Sequence, residues 1–214
     1  MFIFEQIRTG GDRNFGYLVG DRQVQQAVLV DPSYDPGRLV ARARAQGLSV
    51  THIINTHGHI DHTNGNKKAR KLTGAPLVAH RSAASGPDVP VDHEDELTLG
   101  ELTLKFLYTP GHSGDSLCIL VDEVCITGDT LFVGKIGGTA TREAAEAEYR
   151  SLHEVLLPLP EATTIWPGHD YGCRAATTIG LEKRTNPFLL CKDLAEFLEL
   201  KANWAEYKEQ HGLV

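Results

Sequence analysis

The sequence contains no long hydrophobic run, no concentration of basic residues and no paired cysteines. Its apolar stretches fall far short of the roughly 18 residues that a membrane-spanning helix requires, so we expect no membrane association. The 21 Lys and Arg residues against 28 Asp and Glu give a net charge of −7, which argues against binding to nucleic acid. The four cysteines form no CxxC pair, and the N-terminus lacks a charged segment followed by an apolar one. We therefore expect reduced thiols and a cytoplasmic location.

The composition is otherwise that of a globular protein with alternating strands and helices. The 214 residues, 41% of them hydrophobic and 23% charged, are enough for one or two domains with a substantial core. Apolar patterns predict strands in the first 30 residues and at 52–55 and 76–79, hairpins at 97–107 and 116–126, and helices after residue 35 and at 64–72, 143–157 and 189–208. Strands and helices alternate twice, which indicates sheets covered by helices, an α/β or α+β layered architecture.

Residues 56–62, with the sequence THGHIDH, concentrate metal-binding side chains in one short segment. They follow a predicted strand, and a loop at a strand end can direct several side chains to one point. Imidazole and carboxylate groups are ligands that zinc prefers and that iron and manganese accept. The alternatives are a chance surface cluster or core histidines, and the polar residues 63–66 that follow argue against a core position. We therefore expect metal ligands among four side chains, those of His57, His59, Asp61 and His62.

Three further polar residues occur in a common local setting. His112, Asp129 and His169 each come after a short apolar run and directly follow a glycine, which allows the backbone to approach a ligand closely. Each alone is typical of an ordinary turn residue, but the repeated pattern favours a shared site. Asp31, followed by Pro32 after a predicted strand, has two interpretations: it supports such a site or it opens a turn.

The order His57-x-His59-x-Asp61-His62, His112, Asp129, His169 resembles the five-part metal motif of the metallo-β-lactamase fold superfamily. The resemblance implies a four-layer αββα sandwich of two mixed sheets flanked by helices, in a single domain over residues 1–214, with the metal site at the sheet edge. It also implies two divalent metal ions, zinc in the first place, with iron or manganese as alternatives. By position, the first ion would be held by His57, His59 and His112, and the second by Asp61, His62 and His169, with Asp129 bridging.

Within the superfamily, the segments 128–132, 167–172 and 182–188 are similar to the glyoxalase II (hydroxyacylglutathione hydrolase) group. This similarity implies a hydrolase in which a metal-bridging hydroxide cleaves a thioester such as a hydroxyacylglutathione. Asp61 would be the catalytic residue that holds the hydroxide in line. Tyr171 stands where the family has a tyrosine that contacts the glutathione part of the substrate, and a packed aromatic residue is the alternative interpretation.

Two departures from the glyoxalase II pattern concern the substrate. Residues 134–139 read GKIGGT, where the group has Gly-Cys-Gly and a basic residue. Lys135 would then supply the missing charge for substrate binding, or it is simply solvated. Only 27 residues follow Pro187, so we expect a covering helix over 188–210 in place of the long helical domain of the group. These departures weaken the expectation of glutathione as carrier more than that of thioester hydrolysis.

A different reaction on the same scaffold is the alternative. The persulfide dioxygenases resemble glyoxalase II but use one iron, which His57, His112 and Asp129 would hold here. The substrate would then be glutathione persulfide. In either case the expected partner is a small molecule, possibly linked to glutathione, and the sequence leaves the oligomeric state open.

Overall fold

The computed structural model describes residues 1–212, which build two six-stranded sheets and a small third one. The strands are β1 (Phe2–Gly10), β2 (Asn14–Asp21), β3 (Gln26–Val30), β4 (Ser49–Ile54), β5 (Leu77–His80), β6 (Val89–Val91), β7 (Glu96–Leu99), β8 (Leu102–Tyr108), β9 (Leu117–Val121), β10 (Val124–Gly128), β11 (Leu131–Phe132), β12 (Lys135–Ile136), β13 (Thr164–Pro167) and β14 (Thr177–Thr178). The first sheet has the order β1-β2-β3-β4-β5-β6, and the second has the order β14-β13-β10-β9-β8-β7, while β11 and β12 pair alone. Both large sheets are mixed: β3 to β6 run parallel, as do β10 and β13, and the other pairs are antiparallel.

Helices cover the outer faces of both sheets. The α-helices are α1 (Pro36–Ala45), α2 (Ile60–Thr63), α3 (Asn66–Thr73), α4 (Arg142–Arg150), α5 (Ile179–Thr185), α6 (Leu194–Ala202) and α7 (Trp204–His211), of which the short α2 lies at the sheet edge and does not cover a face. Leu39, Val40 and Ala43 of α1 pack on the outer face of the first sheet. Phe197 of α6 and Ile179 of α5 pack on the outer face of the second sheet. The layers therefore follow the predicted order αββα.

The main core lies between the two sheets, and strand alternation selects its members. In β2, Tyr17 and Val19 point to the space between the sheets, while Leu18 points to the layer under α1. In β8, Phe106 faces the inner core and Leu107 faces the helices that cover the second sheet. Successive side chains on a strand point to opposite faces, so strands buried on both sides are apolar throughout.

The C-terminal helix differs from the prediction. The sequence predicts one helix over 189–208, whereas the structure has two helices in this region, α6 and α7. The covering segment 188–210 is therefore not a single helix. The carboxylate of Asp193 caps the start of α6 by accepting a hydrogen bond from the Glu196 amide at 3.0 Å. Asn203, with φ −109° and ψ 18°, ends α6. Leu190 is 55% exposed because it precedes this cap and lies outside the helix.

The predicted helix over 143–157 also changes character along its length. It begins as α4, capped by the Thr141 side chain, and continues from Ser151 to Leu156 as a π-helical turn. The Ser151 hydroxyl donates a hydrogen bond to the Pro110 carbonyl oxygen at 2.7 Å. Within residues 1–212, no helix combines the length and apolarity needed to cross a membrane.

Candidate metal centre

Strand ends of both sheets meet at one edge of the sandwich. His57 follows β4 of the first sheet, whereas Asp129 and His169 follow β10 and β13 of the second. Backbone hydrogen bonds join these ends: the Gly168 amide donates to the Gly128 carbonyl oxygen at 2.7 Å, and the Phe15 amide donates to the Gly168 carbonyl oxygen at 2.8 Å. The loops that carry Asp129 and His169 are therefore fixed to each other and to β2 of the first sheet.

Three histidines form the first group of candidate ligands. The Nε2 atom of His57 lies 3.0 Å from Nδ1 of His59, and this Nδ1 lies 2.9 Å from Nε2 of His112. His57 is buried and His59 is exposed, so the group opens to solvent on one side. These are the three residues that the resemblance assigns to the first ion.

A second group lies directly beside the first. Nε2 of His62 is 3.2 Å from Nε2 of His169, and Oδ2 of Asp61 is 3.3 Å from the latter atom. Asp129 lies between the groups, with Oδ1 3.4 Å from Nε2 of His62 and Oδ2 3.5 Å from Nε2 of His112. The structure thus brings all seven predicted ligand side chains together.

The chemistry of these contacts fits divalent cations. His62, His112 and His169 each donate through Nδ1 to an oxygen atom, which leaves the Nε2 lone pair directed at the site. Nitrogen atoms that face one another at 2.9–3.2 Å have the spacing of ligands that share an ion, about 3.3 Å in a tetrahedral zinc site. The Oδ1 atom of Asp129 is buried and has no hydrogen-bond partner. A cation would satisfy both the lone pairs and this oxygen.

The charges of the site are arranged for cation binding. Burial and the neighbouring His62 lower the pKa of His57 to about 3, so this imidazole is neutral, the form that binds metals. Burial opposes ionisation of Asp129, but the adjacent imidazoles of His169 and His62 outweigh it and hold the pKa of this carboxyl well below its usual range. Burial lowers the pKa of His169, but Asp129 and Asp61 raise it to about 9 overall. A position that stabilises a positive charge on an imidazole also stabilises a metal cation.

Asp31 supports the second group from behind. Its Oδ2 atom accepts hydrogen bonds from Nδ1 of His62 at 2.9 Å and from the Thr56 hydroxyl at 2.6 Å. Its Oδ1 atom accepts from the Thr56 amide at 2.8 Å and from the Asn55 side chain at 3.3 Å. Of the two interpretations open for Asp31 in the sequence, the structure therefore favours the supporting role.

Asn14 and Asp12 contact the site without having been predicted to do so. The Asn14 side-chain amide donates to Oδ2 of Asp61 at 3.0 Å, and the Asp12 carbonyl oxygen accepts from Nδ1 of His169 at 2.8 Å. Both lie in or beside the turn between β1 and β2, where Gly, Asp and Asn are the ordinary turn residues. An isolated bridge between Asn14 and His169 brings this turn to the metal centre.

The two predicted substrate-binding residues lie side by side next to the second group. The Tyr171 ring stacks on the His169 ring, with centroids 4.5 Å apart and an angle of 10° between the planes. Its hydroxyl donates to Asp12 at 2.6 Å, and Nζ of Lys135 lies 4.9 Å from the centre of the ring. Tyr171 and Lys135 line a cavity of about 570 Å³ together with three further cationic residues, Arg13, Arg174 and Lys208.

The chain is similar to two kinds of known protein. A hydroxyacylglutathione hydrolase from Polaromonas sp. is 37% identical over 177 residues, which cover 79% of this chain and 67% of the relative. The mitochondrial persulfide dioxygenase ETHE1 from Homo sapiens is 30% identical over 194 residues, which cover 88% of this chain and 76% of the relative. The crystal structure of ETHE1 from Myxococcus xanthus superposes with a TM-score of 0.88 at 37% identity, covering 94% of this chain and 91% of that one.

The family itself is established by a match that includes all seven candidate ligands. The sequence model of the metallo-beta-lactamase superfamily matches residues 9–169. The match agrees with the αββα layers and with the position of the ligand cluster at the sheet edge. As its metal motif predicted, the chain belongs to the metallo-β-lactamase superfamily.

Proposed function

We propose that the protein is a metal-dependent hydrolase that cleaves a thioester linked to glutathione or a similar carrier. The observation that carries this proposal is the presence of two complete groups of three ligands, with Asp129 in reach of both. A site built for one ion needs only one such group. When bound, two divalent ions would supply a water-derived nucleophile at neutral pH and would stabilise the charge that develops on the substrate oxygen.

Asp61 is the residue that we propose to orient the attacking water. Its carboxylate is 30% exposed, whereas His62 and His169 beside it are buried, so it faces the open side of the site. The adjacent imidazole of His169 lowers the pKa of Asp61 below its usual range, and the Asn14 side chain donates a hydrogen bond to the carboxylate. An ionised carboxylate held on both sides can accept a hydrogen bond from the incoming water and so fix the direction of the water's lone pair.

The cavity beside Tyr171 suits an anionic carrier. Its volume of about 570 Å³ lies within the range of small-molecule sites. Four cationic side chains line it, those of Arg13, Lys135, Arg174 and Lys208. Glutathione carries two carboxylates, so cations and an aromatic ring at this place favour a glutathione-linked substrate over a neutral one.

Persulfide dioxygenase activity is the second candidate, and the similarity to an ETHE1 structure supports it. The chain covers 91% of the Myxococcus xanthus ETHE1 structure but 67% of the Polaromonas hydroxyacylglutathione hydrolase. The ligand set that one iron would need, His57, His112 and Asp129, also lies within the cluster. Both candidate reactions would use an anionic carrier. The dioxygenase would use one iron ion in place of two divalent ions, and it would consume oxygen.

Metal content and two assays on the same preparation separate the candidates. Protein purified without chelators is analysed for zinc, iron and manganese per chain, then assayed for thiol release from a hydroxyacylglutathione and for oxygen uptake with glutathione persulfide. We expect about two ions per chain and thiol release that Asp61→Ala reduces by several orders of magnitude while the variant stays folded. About one iron per chain, with oxygen uptake and no thiol release, would replace the proposal with the dioxygenase. Full turnover in Asp61→Ala would remove the role assigned to Asp61.

A further inference from the structure

A buried ion pair ties the C-terminal helix α6 to α4. Lys201 of α6 contacts the carboxylate of Glu148 of α4, and the two side chains are only 12% and 0% exposed. The same Lys201 ammonium donates a hydrogen bond to the Gly137 carbonyl oxygen at 2.9 Å. Burying two charges costs free energy that apolar residues of the same size would not cost, so helix packing alone does not account for this pair.

The residue Glu148 of this ion pair lies against the loop that carries His112. Gly111 lies directly against α4 at Glu148: a Cβ atom on Gly111 would come within 2.3 Å of the Cβ atom and 2.5 Å of the Cα atom of Glu148. The adjacent Pro110 carbonyl oxygen accepts the hydrogen bond from Ser151. The His112 loop is therefore seated on α4, and the contact at position 148 involves the main chain and Cβ, not the carboxylate.

The residue Lys201 is connected to the ring of His112 through the backbone at 137–138. The Gly138 carbonyl oxygen accepts a hydrogen bond from Nδ1 of His112 at 2.8 Å, and Nε2 of this ring lies 2.9 Å from Nδ1 of His59. Gly137 packs against the same ring, since a Cβ atom there would lie 2.9 Å from Nδ1 of His112. The backbone at 137–138 thus sets both the tautomer and the direction of the imidazole.

We propose that Lys201, held in place by Glu148, is a positioning residue for His112: it fixes the backbone at 137–138 and thereby directs the Nε2 atom of His112 into the first ligand group. The helix α6 is then part of the support of the metal centre. This proposal rests on the metal centre of the proposed function, but it holds for either candidate reaction because His112 belongs to both ligand sets.

The test compares cobalt binding by three variants with that of the wild-type chain. Lys201→Met/Glu148→Met removes both charges while it keeps the side-chain bulk and the Cβ contact with Gly111, so it isolates the loss of the hydrogen bond to Gly137. Lys201→Arg keeps a donor at this place. Lys192→Met removes an exposed lysine that precedes α6 and serves as the control for the loss of a lysine in this part of the chain. Affinity is measured by competition with a chromophoric chelator, the ligand field by the cobalt absorption spectrum, and folding by thermal unfolding of the metal-free proteins.

We expect the double variant to bind cobalt at the first group about tenfold more weakly, the lower end of the effect of partners that orient a ligand. Its cobalt spectrum should change, while its metal-free unfolding midpoint should equal or exceed that of the wild type. Lys201→Arg should recover most of the affinity, and Lys192→Met should match the wild type. A double variant with wild-type affinity and spectrum would overturn the proposal, as would a loss that tracks only the unfolding midpoint. A wild-type chain that binds cobalt but releases no thiol would refute only the proposed hydrolysis, whereas one that binds no metal would refute both.

Discussion

Replacement of Asp31 by asparagine is expected to weaken metal binding while the chain remains folded. Every partner of the Asp31 carboxylate is a donor: Nδ1 of His62, the amide and hydroxyl of Thr56, and the side chain of Asn55. An asparagine offers one acceptor oxygen and an NH₂ group, so at least one of these donors would face another donor. The backbone conformation at position 31 accepts asparagine, because its φ of +46° lies in the left-handed region, which asparagine tolerates well.

The magnitude follows from the role of this carboxylate behind a ligand. A partner that fixes the ring of a metal-bound histidine contributes about 10-fold to 100-fold in metal affinity, or about 1.4–2.8 kcal/mol. The hydrogen bond between Asp31 and His62 is charge-assisted, and such bonds contribute about 1.5–3 kcal/mol each. We therefore expect Asp31→Asn to lose between one and two orders of magnitude in affinity at the second group, Asp61, His62 and His169.

The assay is competition for zinc between the metal-free protein and a chromophoric chelator, which resolves the two binding steps. Asp35→Asn is the matched control: Asp35 lies four residues further along the same loop and caps α1 by accepting from the Arg38 amide at 3.2 Å. Asparagine caps a helix as well as aspartate does, so this control should bind both ions as the wild type does. Unchanged affinity for both ions in a folded Asp31→Asn variant would refute the reasoning, and equal losses in both variants would point to the loss of charge alone.

Three further changes test other parts of the structure. Lys135→Met should raise KM for a glutathione-linked thioester about tenfold with little change in kcat, measured by steady-state thiol release, because Lys135 lines the cavity and is not among the candidate ligands. Asp129→Ala should reduce the metal content by more than one ion per chain in elemental analysis, because Asp129 lies near ligands of both groups. His59→Ala should reduce it by about one ion, because His59 belongs to the first group alone. Burial raises the pKa of Glu148 from 4.5 to about 7, so the folded state binds the proton more tightly than the unfolded state. This contribution to stability is complete below about pH 4.5 and is lost as the pH rises through 7; urea unfolding should show the wild type losing about 3 kcal/mol relative to Glu148→Gln over that range.

The fold was predictable where a pattern is local. The hairpin at 97–107 appears as β7 and β8, and the hairpin at 116–126 appears as β9 and β10, because alternation and a short turn specify both. The C-terminal helix was wrong in extent, because apolar spacing continues across Asn203 although the helix does not. The spacing of apolar residues indicates which face of a helix is buried, whereas the capping residues determine where the helix ends.

The candidate ligands were predictable because each follows a strand, but their supports were not. Asn14 reaches Asp61 across 47 positions of the chain, and Lys201 reaches Gly137 across 64. Neither residue stands in a pattern that distinguishes it from an ordinary turn or surface residue. Contacts of this kind depend on the packing of distant elements, which single-sequence periodicity does not encode.

The grouping of the ligands depends on the contact between the two sheets. The first sheet supplies the ligands of residues 57–62, and the second supplies those at 112, 129 and 169. Hydrogen bonds across this boundary fix the relative position of the two sets: the Tyr17 hydroxyl donates to the Pro167 carbonyl oxygen at 2.5 Å, and the Leu117 amide donates to the Thr56 carbonyl oxygen at 2.7 Å. Since both ligand groups combine residues from the two sheets, neither sheet alone can form a complete group. The candidate metal centre is therefore a property of the packed sandwich, and a residue remote from the ligands, such as Tyr17, belongs to the support that determines its geometry.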